Sequence, residues 1–211
     1  MCETTIEVKN INFGYEKGKE ILKDISFNAS GTNSIGLVGA NGVGKSTFLK
    51  LFVGLNLNFT GEIKINGLLV EPKNLPIIRE KIGYVFQDSD NQLFMSTAYE
   101  DIAFAPRNYG LSEEQVQSRV EKALEMVGIS HLRDKQIYKM SGGEKKLVSI
   151  ATILSMVPDI ILMDEPSIAL DPKNRRNLIN ILNSIDKLKI IASHDLDMIL
   201  DTCERTVLMS K

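Results

Sequence analysis

The chain has little cysteine, little histidine and no surplus of either charge. Its two cysteines, Cys2 and Cys203, stand at opposite ends with no metal-ligand spacing. Reduced free thiols in a cytosolic protein are the expectation for such a pair. Of the two histidines, His131 has no partner motif and reads as a surface residue. Lysine and arginine number 25 against 27 aspartates and glutamates, a net charge of −2. That balance excludes the basic footprint of a nucleic-acid binder. The adjacent pairs Lys145–Lys146 and Arg175–Arg176 read as solvated helix faces. No apolar run approaches the ~18 residues of a membrane span, and no signal peptide is visible. Any role at a membrane must therefore come through a partner. What is present suffices for a core: 43% hydrophobic residues in a chain of 211, the size of one domain with room for a subdomain.

Chemistry concentrates first in Gly39-Ala40-Asn41-Gly42-Val43-Gly44-Lys45-Ser46-Thr47. The run matches G-x-x-x-x-G-K-[ST], the phosphate-binding loop, at every defined position. Gly39, Gly42 and Gly44 let backbone N–H groups curl around a polyphosphate, where side chains would obstruct. Lys45 reaches the β- and γ-phosphates, and the Ser46 hydroxyl coordinates Mg²⁺. The context agrees. Ser34–Val38 is a short apolar run that suits a buried parallel strand, and Phe48, Leu49, Phe52 and Val53 follow at helical period. The helix start near Lys45 turns its positive dipole end to the anion.

Met140-Ser141-Gly142-Gly143-Glu144 resembles the signature motif of ATP-binding cassette (ABC) ATPases, usually L-S-G-G-Q. Five further segments match that family in order. Tyr15 stands at the position of the adenine-stacking aromatic. Gln87, in Tyr84-Val85-Phe86-Gln87-Asp88, matches the Q-loop glutamine. Ile160 to Pro166 matches Walker B and the catalytic glutamate, Ile168-Ala169-Leu170-Asp171 the D-loop, and Ser193-His194-Asp195 the switch histidine. The resemblance runs from about residue 4 to residue 209. It implies an α/β P-loop NTPase fold with a mostly parallel core sheet, an N-terminal antiparallel β subdomain and an inserted helical subdomain. It also implies ATP and Mg²⁺ as ligands.

The residues support these roles. Ile160–Met163 is an apolar run ending in two carboxylates, as a strand buried on both faces ends at its site. Asp164 is expected to hold Mg²⁺, with Ser46 and Gln87. Glu165 is expected to act as general base on the attacking water. His194 follows the run Ile190–Ala192 and is expected at the γ-phosphate. Ser141 and Glu144 have the spacing of a capping box, and a capped helix start with Gly142 and Gly143 offers N–H groups to an anion. In the resembled family this turn serves the nucleotide on the other subunit, so two chains are expected to dimerise head to tail. Leu147, where many members carry a basic residue, and Ile168, in place of a small residue, depart from the pattern and bear on the dimer contact or the partner.

Along the chain, residues 4–30 read as antiparallel strands with Ile6, Val8, Ile25 and Phe27 at alternate positions. Asn66-Gly67 is a hairpin signal. The whole of residues 1–211 reads as one cassette, with a helical subdomain at about 90–139 and the signature helix from 141. Within it, Ser112 and Gln115 form a capping-box pattern, Val116, Val120, Ala123, Leu124 and Val127 recur at helical spacing, and Gly128 suits a helix stop. A helix is expected over Lys173–Ile185 and a last strand over Thr206–Met209. The chain stops just past that strand, where many relatives continue.

Val85 to Phe94, with Gln92 as an added glutamine, and Tyr99 to Pro106 resemble the energy-coupling factor branch, whose members power uptake of cobalt, nickel or vitamins. The resemblance implies an ATPase on the cytoplasmic face of the membrane. Its partners would be an integral membrane subunit and a second ATPase of the same or a different chain, with no nucleic acid. A soluble ABC ATPase acting on nucleic acid or ribosomes is the alternative. Against it, residues 48–140 hold no sustained heptads and the chain carries one cassette.

Overall fold

The computed structural model describes residues 4–16 and 18–210; Cys2 lies outside them. Strand β1 (Thr5–Phe13) buries Ile6, Val8, Ile11 and Phe13 and pairs antiparallel with β2 (Leu22–Ser30), Val8 opposite Phe27. Ile25 is only half-buried, because irregularities in the ladder between Val8 and Phe13 break the alternation. Strand β3 (Ser34–Val38) leads through the glycine-rich loop into helix α1 (Lys45–Phe52). Then come β4 (Thr60–Ile65) and β5 (Leu68–Leu69), closed by Asn66 and Gly67 at φ 49° and 78°. Two consecutive positive φ angles give the turn whose twist matches the strands.

Helix α2 (Leu75–Lys81) carries Pro76 in its first turn, where a missing N–H costs nothing. It was not foreseen in the sequence, because its apolar positions are too few to set a period. Strand β6 (Ile82–Val85) follows. The segment beyond it contributes α3 (Ala98–Asn108) and α4 (Glu113–Val127). Helix α4 has both bonds of the Ser112–Gln115 capping box and stops at Gly128, φ 74°. After α5 (Gly142–Met156) the chain alternates β7 (Ile160–Asp164), α6 (Pro172–Ser184), β8 (Leu188–Ala192), α7 (Leu196–Thr202) and β9 (Arg205–Leu208).

Two sheets result. One is antiparallel, in order β2-β1-β4-β5; the other is parallel, in order β6-β7-β8-β3-β9. The parallel strands are apolar on both faces because both faces are covered. Ile160, Leu162, Leu188 and Ile190 face a core shared with α1 and the antiparallel sheet. Ile161, Met163 and Ile191 face a second core built by α3 to α7. The carboxyl ends of β3, β6, β7 and β8 therefore open on one edge, where the phosphate loop, Gln87, Asp164–Glu165 and His194 follow their strands.

Candidate functional site

The phosphate loop is shaped by backbone conformations that side chains resist. Gly39 has φ 155°, and a Cβ there would stand 2.4 Å from the Met209 carbonyl oxygen. Gly42 differs: a Cβ would meet nothing within 4 Å, but its φ of 76° is left-handed. Its reason is conformational and not the obstruction expected at all three glycines. Val43 is buried beneath the loop. Lys45 Nζ donates to the carbonyls of Gly39 and Ala40 at 2.8 and 3.3 Å, so the loop holds its own cation folded across it.

A cavity on this edge is lined by Asn41, Gly42, Gly44, Lys45, Ser46, Thr47, Gln87, Glu165 and His194. Next to it lies a second, which shares Ser46 and Gln87 and adds Asp164, Gly142 and Lys146. Tyr15 stands at the rim, 59% exposed, its ring edge-on to Phe13 and its hydroxyl 3.3 Å from Thr47 Oγ1. An exposed, braced aromatic face suits stacking on a base.

Ser46 Oγ donates to Asp164 Oδ1 at 2.8 Å. A hydroxyl and a carboxylate thus converge beside Gln87, and hard oxygen donors of this kind suit Mg²⁺ that draws its remaining ligands from phosphate and water. Among the described residues no cluster of three His, Cys, Asp or Glu forms a self-sufficient metal cage. Burial raises the Asp164 pKa, an effect that the Ser46 hydrogen bond and Lys50 oppose and neighbouring Glu165 reinforces.

Glu165 sits at φ 49°, a strained angle for a non-glycine residue. One of its oxygens, Oε2, receives the Ser193 hydroxyl at 3.0 Å and the His194 N–H at 3.2 Å, and lies 2.8 Å from His194 Nδ1. The carboxylate is buried while the imidazole is largely exposed. The two side chains form one unit at the mouth of the cavity, with Ser193 as its buried anchor.

The signature turn is a true capped helix start. Ser141 Oγ accepts from Glu144 N–H, and Glu144 Oε2 accepts from Ser141 N–H. The second Glu144 partner is Lys135, at 2.7 Å, and these contacts hold the Glu144 carboxyl below its ordinary pKa. Glu144 is thereby committed to the cap. None of Ser141, Gly142, Gly143 and Glu144 lines the cavity of Lys45, Glu165 and His194, while Gly142 lines the adjoining one with Ser46 and Asp164. Gly142 and Gly143 lie against Ala169.

One residue of each basic pair departs from the solvated reading, while Arg176 stays exposed in an ion pair with Asp201. Lys146 is 2% exposed and donates to the carbonyls of Phe86 and Gln87 at 2.9 and 2.7 Å. Burial lowers its pKa to about 8, against the opposing pull of Asp164, Asp88 and Glu165. Arg175 makes a two-pronged bond to Asp195, 2.6 Å on each arm. Lys146 departs because carbonyls left open beyond a strand end recruit a donor, and Arg175 because the Asp195 carboxylate lies within reach. His131 is exposed, as expected. Leu147 is buried in the helical core, so its departure from the basic pattern leaves the surface unaltered.

Residue patterns and geometry agree on a nucleotide edge, and comparison settles its lineage: residues 22–168 match the family described as ABC transporter. The chain belongs to that family. It is the ATP-binding, ATP-hydrolysing subunit, with the P-loop NTPase fold. A Geobacter sulfurreducens protein provisionally named an ABC transporter ATP-binding protein is 45% identical over 99% of this chain and 84% of its own. The energy-coupling factor transporter ATP-binding protein EcfA2 of Caldanaerobacter subterraneus is 41% identical over 98% of this chain and 76% of its own. Among solved structures, cbiO1 of Clostridium perfringens, described as part of the ABC transporter complex cbiONQ, superposes with TM-score 0.86 at 36% identity. It covers 97% of this chain and 84% of that one. The cassette MJ0796, in a dimeric post-hydrolysis state with ADP and Pi, gives 0.89 at 27% identity, covering 97% and 94%.

Sequence reading missed two further residues of the cassette. Tyr84 Oη donates to Asp164 Oδ2 at 3.4 Å from the neighbouring strand, its pKa pushed up by burial. Ser193 anchors Glu165. The parallel pairing of β6 with β7 was the available signal for Tyr84; Ser193 stands in the switch-histidine segment, but nothing local pointed to its bond with Glu165. Gln92, the added glutamine, turns its side chain inward to Phe86 N–H, Ser149 O and Thr152 Oγ1.

Proposed function

We propose that this cassette is one ATPase of an energy-coupling factor importer for cobalt, nickel or a vitamin. It works on the cytoplasmic face of the membrane, paired head to tail with a second cassette. One observation carries the pairing: of the signature turn only Gly142 reaches the nucleotide edge, in the cavity beside Gln87 and Asp164, and none of it lines the cavity of Lys45, Glu165 and His194, which a second chain's turn would complete. The loop amides and Lys45 bind the β- and γ-phosphates. Ser46, Gln87 and Asp164 are the residues that would hold Mg²⁺, which neutralises developing phosphate charge. Glu165 takes the proton of the attacking water, and His194 keeps its carboxylate aimed while meeting the γ-phosphate. Tyr15 stacks on the adenine.

The membrane partner is supported by Phe94 and Phe104. Their rings stack edge-on at 4.8 Å, yet they are 65% and 39% exposed. Asp101, buried, accepts the N–H groups of Phe94 and Met95 and fixes that pair beside the Gln87 segment. No helix among the described residues is long and apolar enough to cross a membrane. Purification of the tagged chain in mild detergent, with mass spectrometry of what accompanies it, tests the reading. A multi-span membrane protein, lost on Phe94→Ser with Phe104→Ser, supports it. Ribosomal or DNA-bound proteins in its place overturn it.

A further inference from the structure

Strand β6 ends at Val85, so the peptide groups of Phe86 and Gln87 have no ladder partner. Side chains tied to α5 take over. The Phe86 N–H goes to Gln92 Oε1, whose own Nε2 is fixed on Ser149 O and Thr152 Oγ1 of α5. The Phe86 and Gln87 carbonyls both accept from Lys146, in the second turn of the same helix. Lys145 adds an ion pair to Asp90 at 2.6 Å, exposed on the aspartate side. Among the described residues Lys146 makes no ion pair. A buried ammonium without one is costly, and an apolar side chain of similar length would fill the same space.

What the lysine supplies is therefore positional. Two hydrogen bonds from one ammonium on a rigid helix fix the peptide that carries Gln87, and so fix where its side chain projects into the cavity shared with Ser46 and Asp164. The same helix begins with Ser141–Gly143. We propose that Lys146 is a positioning residue for ATP hydrolysis, holding Gln87 and the signature turn as a single rigid piece. Gln87 at one nucleotide and Ser141–Gly143 at the other then move together. The inference rests on the roles given above to Gln87 and the signature turn.

The test is a double-mutant cycle on the full-length protein, reading turnover, ATP affinity, melting temperature and the Mg²⁺ concentration for half-maximal rate. Lys146→Met is expected to keep the melting temperature and hold ATP affinity within about twofold, while kcat falls ~10-fold or more and the Mg²⁺ requirement rises. Lys146→Arg, which keeps donors and charge, should restore most of the rate. In a Gln87→Ala background, Lys146→Met should cost less than about twofold more. Near-wild-type turnover in Lys146→Met beside an impaired Gln87→Ala overturns the lysine's role alone. An undiminished further loss in the Gln87→Ala background does the same. Wild-type turnover in Gln87→Ala removes the reading of Gln87, and the proposal with it. If the methionine variant fails to fold, Lys146→Gln carries the same comparisons.

Discussion

At the scale of single residues, the site works through side chains whose partners are already in place. Glu165 is the clearest, held by the Ser193 hydroxyl and by His194 through both backbone and ring. Glu165→Gln keeps the shape and removes the base, so turnover should fall ~10²–10⁴-fold. The ATP-bound dimer should accumulate, visible by size-exclusion chromatography with ATP; unchanged turnover would remove Glu165 from its role. Asp195 offers a pH-dependent prediction. The Arg175 side chain holds its pKa down at about 2, against 3.8 ordinarily, with the Met198 N–H assisting and burial opposing. A carboxylate depressed on folding stabilises the fold above its unfolded pKa and loses that contribution as pH falls through the folded one. The melting-temperature gap between wild type and Asp195→Asn should therefore be full at neutral pH, narrow below about 4 and close near 2. A gap that persists at pH 2 would contradict this origin. These residues were legible to different degrees. Glu165 and His194 announce themselves by following apolar runs. Ser193 does not, because its role depends on a carboxylate 28 residues away.

At the scale of elements, the two capping boxes form a natural control. Ser112 starts α4 and Ser141 starts α5, each with both reciprocal bonds present. Replacing either by alanine should cost about 1 kcal/mol of stability, read by denaturant unfolding. Only Ser141→Ala should also lose turnover, since only that turn is proposed to meet a phosphate. Equal loss of turnover in both variants would reduce Ser141 to a cap. Both boxes were legible from S-x-x-Q and S-x-x-E, because the reciprocal bonds span three residues and need no tertiary partner. Helix α2 was not, and neither was the inward turn of Gln92. One has too weak a period, and the other is set by acceptors on α5 that lie 57 and 60 positions away.

At the scale of the whole molecule, the parallel sheet gathers the ends of four strands, and of the signature turn only Gly142 reaches the cavities that open there. The proposed pairing with a second copy or a paralogue would bring another signature turn to that edge. Lys45→Ala should lose nucleotide affinity, as calorimetry would register; wild-type binding would show that the loop amides suffice without the lysine. Local grammar determined much of this alone. The glycine pattern, the apolar strand ends, the caps and the order of motifs each depend on neighbours within a few residues, so the family, the fold and the candidate site residues gathered on one edge were readable in the sequence. Only the tertiary structure decided which donors meet which open carbonyls. Lys146 was assigned to solvent on its charge, yet it is buried because β6 ends and α5 passes alongside. That juxtaposition joins residues 60 positions apart, and no local pattern encodes it.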